Sequence, residues 1–250
     1  MKLSIVIPAY NEENRIGLTL KGYSEFFSNK LGKNFEILVV LNGCKDNTLD
    51  VVKKFSSKSH NVKYINIKEA IGKGGAIIEG FKNVEGELIG FVDADNATPA
   101  KSFYDLYEKI NGNDGIIASR WIKGAIIGKK QSFSRRFASR SFNIIVRMLF
   151  GIKLRDTQCG AKLFKKQAVK EVLNELGITK WAFDIDLLYL MKKHNFNVIE
   201  IPTEWNEPGE SHLNIKKTVP EMFLAVTRLR LIYSPFRFVV KIYDMIFGND

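Results

Sequence analysis

An α/β fold, with a mostly parallel sheet covered by helices on both faces, is predicted by three observations. Short β-rich runs alternate with helix-length segments through the first half of the chain, and the chemically versatile polar residues cluster directly after those runs. The 250 residues, 45% apolar and 26% charged, suffice for a buried core in one domain or in one domain with an appendage. That composition excludes a disordered or low-complexity chain.

The strand-like runs are Leu3–Ile7, Phe35–Leu41, Val62–Ile67 and Leu88–Val92, with helical segments opening near Asn11, Asp46 and Gly74. In such a sheet the ligand crevice lies at the carboxyl ends of the strands. Pro8-Ala9-Tyr10-Asn11-Glu12 follows the first run, Asn42-Gly43-Cys44-Lys45-Asp46 the second and Asp93-Ala94-Asp95 the fourth. A strand-to-helix pattern over Gly160–Trp181, a helix over Trp181–His194 and a strand at Val198–Ile201 complete the second half. The last thirty or so residues read as amphipathic helix.

Lys plus Arg is 38 and Asp plus Glu is 27, a formal charge of +11, which favours phosphate-bearing ligands, nucleic acid or an anionic membrane surface. Ten of those cations fall between Arg120 and Arg155, a stretch with no acid at all. Cys44 and Cys159 are too few for a disulfide framework or a cysteine-spaced zinc site, which points to a reducing compartment. The opening MKLSIVIP is too short in apolar residues for a signal peptide, so the chain is expected to begin inside the fold. The longest apolar stretch, Met222–Phe247, is interrupted by Arg228, Arg230, Pro235, Arg237 and Lys241, which argues against a spanning helix.

Two carboxylates two residues apart at a strand end, Asp93 and Asp95, suit a hard divalent ion that keeps positions open for phosphate oxygens; the same residues also suit a turn with a helix cap. Gly72-Lys73-Gly74-Gly75 opens a helix where backbone amides and a lysine could meet a phosphate, although the P-loop spacing is absent. Asn42-Gly43 and Asp46 read first as a turn and an N-cap.

Taken together, IVIPAYNEE at 5–13, VVLNGCKDNT at 39–48, GKGGAIIEGF at 72–81 and FVDADNAT at 91–98 resemble the nucleotide-sugar half of family-two glycosyltransferases of GT-A fold, a Rossmann-like mixed sheet flanked by helices. Ser119-Arg120, RDTQCGAKLF at 155–164, KWAFDIDLLY at 180–189 and WNEPGES at 205–211 resemble the dolichyl-phosphate glucosyltransferase branch, sister to the mannose synthases. The resemblance spans roughly residues 3–215.

It implies an inverting transfer of one sugar, glucose favoured, from a nucleotide diphosphate donor, UDP favoured, to dolichyl or polyprenyl phosphate. By motif match Pro8, Tyr10, Asn11, Glu12 and Asn42 line the nucleotide pocket with Asp46 and Lys73 nearby, while Asp93, Ala94 and Asp95 form the DxD segment whose two carboxylates hold Mg²⁺ or Mn²⁺. Arg120, Arg135 and Ser139 match acceptor-phosphate positions, where a guanidinium fork is suited to the task. A lipid phosphate is already anionic near neutral pH and attacks without a general base. Asn42 stands where relatives usually carry Asp, and Ala97 where mannose synthases often carry a metal-binding Gln, so that water or Asn96 would substitute. Asp184 is the expected sugar ligand in preference to Asp186, since acids two apart on a helix do not share a face.

The expected organisation is a catalytic domain over 1–210, divided into a donor half at 1–98 and an acceptor half at 99–210, with amphipathic membrane-interface helices over 211–250. A basic interface helix over about 134–150 carries a polar stripe of Arg136, Arg140, Asn143 and Arg147 beside Phe137, Ile144, Ile145, Met148 and Leu149. The tail carries a second stripe, Arg230, Ser234, Arg237, Lys241 and Asp244, and is expected to lie on lipid and not in the core. This places the protein peripherally on the cytoplasmic face of a membrane. Rival readings are a GT-A transferase acting on a polysaccharide or protein hydroxyl, and a non-catalytic nucleic-acid-binding protein. Against the latter, the basic residues lie beside aliphatic runs and no base-stacking module is present, so no nucleic-acid partner is expected.

Overall fold

Seven strands make one sheet in the computed structural model of the chain, which describes residues 1–128, 133–177, 182–207 and 215–247. The elements run β1 (Leu3–Ala9), α1 (Ile16–Leu31), β2 (Phe35–Asn42), α2 (Thr48–Ser56), β3 (Val62–Ile67), α3 (Gly72–Lys82), β4 (Leu88–Phe91), α4 (Ala100–Lys109), β5 (Gly115–Ser119), β6 (Ile126–Ile127) and α5 (Phe133–Phe150). They continue with β7 (Lys162–Lys165), α6 (Lys166–Leu173), α7 (Phe183–Lys193), β8 (Val198–Pro202), β9 (Glu204–Trp205), α8 (Ile215–Ile232) and α9 (Arg237–Phe247). The order across the sheet is β3-β2-β1-β4-β7-β5-β8; only β7 runs antiparallel to its neighbours, and β6 pairs with β9 apart from it.

β2 is buried along its whole length and β1 almost so, because helices cover both sheet faces; this is why both read as near-continuous apolar runs. Alternation sends Val6, Leu38, Val40 and Phe91 into a core with α3, α5, α6, α7 and α8. Ile5, Ile7, Ile37 and Val39 enter the opposite core with α1, α2 and α4. β1 is flanked by β2 on one side and β4 on the other, so strand order reverses at β1 and a crevice opens at its carboxyl end.

Three sequence expectations are corrected. The first helix begins at Ile16 and not near Asn11, because Asn11 adopts φ 54° and the Glu12 carbonyl first accepts from the Arg15 and Ile16 amides. Asn143 does not belong to a polar surface stripe: it is buried, and its Oδ1 accepts from the Thr157 amide at 3.0 Å and hydroxyl at 2.9 Å. The tail is not wholly outside the core, because Val226 and Leu229 are buried there and Tyr233 donates to Asp186 Oδ1 at 2.6 Å. A turn at residues 233–236, with the Phe236 amide donating to Ser234 Oγ, separates α8 from α9. Among the described residues no helix is long and apolar enough to cross a membrane.

Candidate functional site

The crevice is built by loops tied to one another. Beyond β4 the ladder continues for one residue, with the Val92 amide on the Val6 carbonyl at 3.0 Å, and then Asp93-Ala94-Asp95 turns away. Thr19 Oγ1 holds the Ala94 carbonyl at 2.7 Å and Tyr23 Oη holds that of Thr98 at 2.9 Å, so α1 anchors this turn from behind. Asn96 takes φ 60°, and the Ala97 amide donates to Asp95 Oδ1 at 3.0 Å, a local bond that sets the carboxylate's direction.

Asp93 is fixed from two sides. Lys73, the second residue of α3, puts its Nζ 2.6 Å from Asp93 Oδ1. On the other side a β-carbon on Gly160 would overlap Asp93 Oδ2, so any larger residue there would displace the carboxylate. Burial and the neighbouring Asp93 charge push the Asp95 carboxyl above its ordinary value. Burial works to lower Lys73, but Asp93 and Asp184 override it and hold the ammonium above its usual range.

The loops after β1 and β2 form one wall. The Glu12 amide donates to Thr48 Oγ1 at 2.7 Å, the Glu13 amide to Asp46 Oδ2 at 3.1 Å, and the Lys45 amide to Asn11 Oδ1 at 2.8 Å. Asp46 Oδ1 also accepts from the Thr48 hydroxyl and amide, so Asp46 is occupied in holding the wall together. Burial works to raise it, and these bonds leave it below the ordinary carboxylate range. Lys73 is paired not with this wall but with Asp93. Asn42 is buried and its Oδ1 accepts from the Ile71 amide at 2.7 Å, which joins β2 to the approach to α3. Glu12 forms a bidentate pair with Arg15 at 2.7 and 2.8 Å, and burial pushes its carboxyl up against that partner. Pro8 is the penultimate residue of β1, and Tyr10, just beyond the strand, is exposed.

Arg120 follows β5. Its Nε and Nη2 reach Asp156 Oδ2 and Oδ1 at 2.8 and 2.9 Å, and its own amide donates to Oδ2 at 2.9 Å. Asp156 is fully buried, and the guanidinium lies 5.4 Å from both the Trp121 and Trp205 rings. Burial alone would lower Arg120, but the Asp156 carboxylate raises it instead. The fork that sequence reasoning reserves for a phosphate is therefore closed on an internal carboxylate. Ser139 lies on α5, as does Arg135 one turn earlier, whose side chain is outside the described residues.

Under the crevice, fully buried Lys162 donates to the Cys159 carbonyl at 2.7 Å and to Asp184 Oδ1 at 2.5 Å. Burial works against ionised Asp184, yet Lys162 and Lys73 hold its carboxyl below the ordinary value. Asp186, also buried, turns elsewhere, towards Tyr233 and the Gly177 amide. The two acids keep separate partners as their spacing requires, but neither faces solvent.

Sequence reasoning missed Asp156, Gly160 and Lys162. All three lie in RDTQCGAKLF, where the signals were the motif's resemblance and a lysine set amid apolar residues. Among the described residues no group of three or more His, Cys, Asp or Glu converges as a metal cluster. Asp93 and Asp95 instead form a two-carboxylate set of hard oxygen donors, which fits an ion that completes its shell with phosphate oxygens and water.

Comparison with known proteins agrees with this architecture. The "Glycosyl transferase family 2" profile matches residues 4–173. The chain is 34% identical over 244 residues to a dolichyl-phosphate β-glucosyltransferase of Dictyostelium discoideum, covering 92% of this chain and 74% of that protein. Against the Homo sapiens protein of the same description it is 32% identical over 227 residues, covering 85% and 69%. Among solved structures, glucosyl-3-phosphoglycerate synthase from Mycobacterium tuberculosis in complex with Mn²⁺, UDP and phosphoglyceric acid superposes with a TM-score of 0.67 at 14% identity, over 92% of this chain and 77% of that one. With its strand-end carboxylates, glycine-opened α3 and mixed seven-stranded sheet, the chain belongs to glycosyl transferase family 2, as a glycosyltransferase of GT-A fold in the dolichyl-phosphate glucosyltransferase branch.

Proposed function

We propose that the chain transfers glucose from a uridine diphosphate sugar to dolichyl or a related polyprenyl phosphate, with inversion, while seated on an anionic membrane surface. The observation that carries the reading is the Asp93–Asp95 pair at the sheet's reversal point beside Lys73, in a chain similar along most of its length to dolichyl-phosphate β-glucosyltransferases. Asp93 and Asp95 would hold Mg²⁺ or Mn²⁺, which when bound supplies charge stabilisation to the departing nucleoside diphosphate. The solved relative with Mn²⁺ and UDP supports this choice of ion and nucleotide.

Pro8, Tyr10, Asn11, Glu12 and Asn42 line the nucleotide side, and the wall pinned by Asp46 keeps them in register. Lys73 stands beside Asp93 to meet diphosphate oxygens. Asp184 acts from beneath: by neutralising Lys162 it fixes the floor of the crevice. Arg120, Arg135 and Ser139 belong to the acceptor side, where Asp156 orients Arg120. The attacking group is an anionic phosphate oxygen, so no residue needs to remove a proton from it.

Exposed apolar side chains support a lipid-facing surface: Ile144, Met148 and Leu149 on α5, and Phe238, Val239 and Ile242 on α9. The catalytic unit is 1–210 together with the packed part of α8, and the remainder of 211–250 serves the interface on the cytoplasmic side. The deciding experiment incubates the full chain with Mn²⁺, radiolabelled UDP-glucose and dolichyl phosphate. Label should enter the organic phase and EDTA should abolish it. Transfer only to a polysaccharide or protein hydroxyl, or full activity in EDTA, would overturn the reading.

A further inference from the structure

Around Trp121 the contacts close into a ring. Arg140 on α5 stacks over the Trp121 indole at 5.1 Å, and Arg120 approaches the same ring at 5.4 Å. Arg120 is locked to Asp156, and the next residue, Thr157, is held by Asn143. Asn143 lies three residues after Arg140 on the same helix, which returns the path to its start.

Two hydrogen-bond donors, one on Trp121 and one on Gln158, the residue after Thr157, have no partner among the described residues. Trp121 Nε1 and Gln158 Nε2 are both buried and unbonded, and they are the only such side-chain atoms among the described residues. A buried N–H without a protein acceptor costs free energy unless a water or a ligand supplies one, so each such donor marks a place where an acceptor can be received. The local charge agrees. Asp156 cancels Arg120, while Arg140 carries no ion pair among the described residues, so the ring retains one positive charge. The Nη1 edge of Arg120 is likewise free of hydrogen bonds there, because Asp156 takes only Nε, Nη2 and the backbone amide. An indole N–H, an amide NH₂ and two guanidinium edges, all donors with no acceptor among them, match a phosphate monoester, whose oxygens only accept when it is a dianion.

We infer that Trp121, Gln158 and Arg140 bind the acceptor's phosphate, with Arg120 contributing its free Nη1 edge from the Asp156 clamp. This deepens the proposed reaction and rests on it for the identity of the lipid, while the phosphate chemistry stands on the orphan donors alone. Neither Trp121 nor Gln158 stabilises the empty protein through its nitrogen, which sets them apart from residues with a merely structural role.

The test uses Trp121→Phe, Gln158→Met and Arg140→Gln in the full chain. Three titrations are run on each: polyprenyl monophosphate in detergent micelles, inorganic phosphate, and UDP with Mn²⁺. Each variant should bind polyprenyl phosphate ~10-fold to ~100-fold more weakly, the range expected when a hydrogen bond to a charged group is lost. UDP–Mn²⁺ affinity should stay within about twofold, and the melting temperatures of the Phe and Met variants should be unchanged or higher, since an orphan donor has been removed. Weakening confined to inorganic phosphate would make this a free-anion site and overturn the lipid assignment. Unchanged affinity for both phosphates, or an equal fall for UDP, would overturn the site itself. The wild-type transfer assay is read separately: absence of glucosyl lipid, with phosphate binding still lost in these variants, would sink the proposed reaction and leave the site standing.

Discussion

Lys73 Nζ sits 2.6 Å from Asp93 Oδ1, so the carboxylate assigned to a divalent cation already holds one of the protein's own. The pair is partly exposed and solvent-screened, which limits its strength to about 1 kcal/mol or less. On the proposed reading lysine and metal would compete for Asp93, and the lysine would be free to meet diphosphate oxygens once the ion is held there.

Lys73→Met should therefore tighten Mn²⁺ binding to the nucleotide-free protein, by at most roughly fivefold, the equivalent of about 1 kcal/mol. The same variant should weaken Mn²⁺–UDP, because the nucleotide loses a cationic partner. Calorimetry with Mn²⁺ alone and with Mn²⁺–UDP separates the two effects. Weaker Mn²⁺ binding without nucleotide would show that Lys73 supports the ion and does not compete with it.

Gly160→Ala tests the other side of Asp93. The added methyl would overlap Asp93 Oδ2, so the carboxylate must rotate or the loop must shift. Overpacking of this kind costs about 1–3 kcal/mol, and metal-dependent UDP affinity should fall by at least an order of magnitude while the fold persists. Urea melts and calorimetry on the same preparation report both quantities. Wild-type affinity in this variant would mean that Asp93 needs no fixed orientation.

Much of this could be read from the sequence because periodicity reports burial. β1 to β4 fall within two residues of their expected bounds: β1, β2 and β4 lie between covered faces and read as apolar runs, while β3, a half-exposed edge strand, is marked by its β-rich composition alone. The crevice was legible because a parallel sheet places it after the carboxyl ends of its strands, which is where these polar residues fall. What escaped were relationships between distant segments. Nothing local in Arg120 announces that Asp156, 36 residues on, fills its fork, and nothing in Lys162 announces a counter-charge on α7. Asn143 fitted a polar stripe by spacing alone, yet its amide serves the Thr157 loop. Helical periodicity assigns a face to a residue, while the partner on that face is decided by tertiary packing.

The Lys162–Asp184 pair yields a stability prediction with a defined pH sign. Asp184→Asn leaves Lys162 as an uncompensated buried cation and should cost about 3–5 kcal/mol, as should Lys162→Met by stranding Asp184. The double variant should recover part of that loss, with the coupling read from a double-mutant cycle. Asp184 titrates below its ordinary value in the folded chain, so its contribution is full above the unfolded value near ~3.9 and is lost as pH falls through the folded one. Urea midpoints taken at steps from neutral pH down to about 3 should fall more steeply in wild type than in Asp184→Asn. Parallel curves would assign the acid sensitivity to other carboxylates.

The C-terminal helices divide by burial, and truncation should divide them the same way. Val226, Leu229 and Tyr233 face the core or Asp186, whereas α9 leaves Phe238, Ile242 and Met245 in solvent, Met245 at 84% exposure. A chain ending at Ser234 keeps the Tyr233–Asp186 bond and the buried face of α8, and should lose little beyond the packing of Val240. It should melt within a few degrees of the full chain, retain Mn²⁺–UDP binding and fail to float with anionic liposomes, because interfacial attachment scales with apolar area plus basic charge. A chain ending at Met222 loses two buried aliphatic side chains and the Asp186 partner together. At about 2–5 kcal/mol for each large core truncation it should be unfolded or nearly so at room temperature. Flotation of the Ser234 chain as complete as that of the full chain would move the lipid contact to α5, whose exposed Ile144 and Met148 would then carry it alone. In that case Met148→Glu would abolish flotation, and α9 would be left as a surface for another protein.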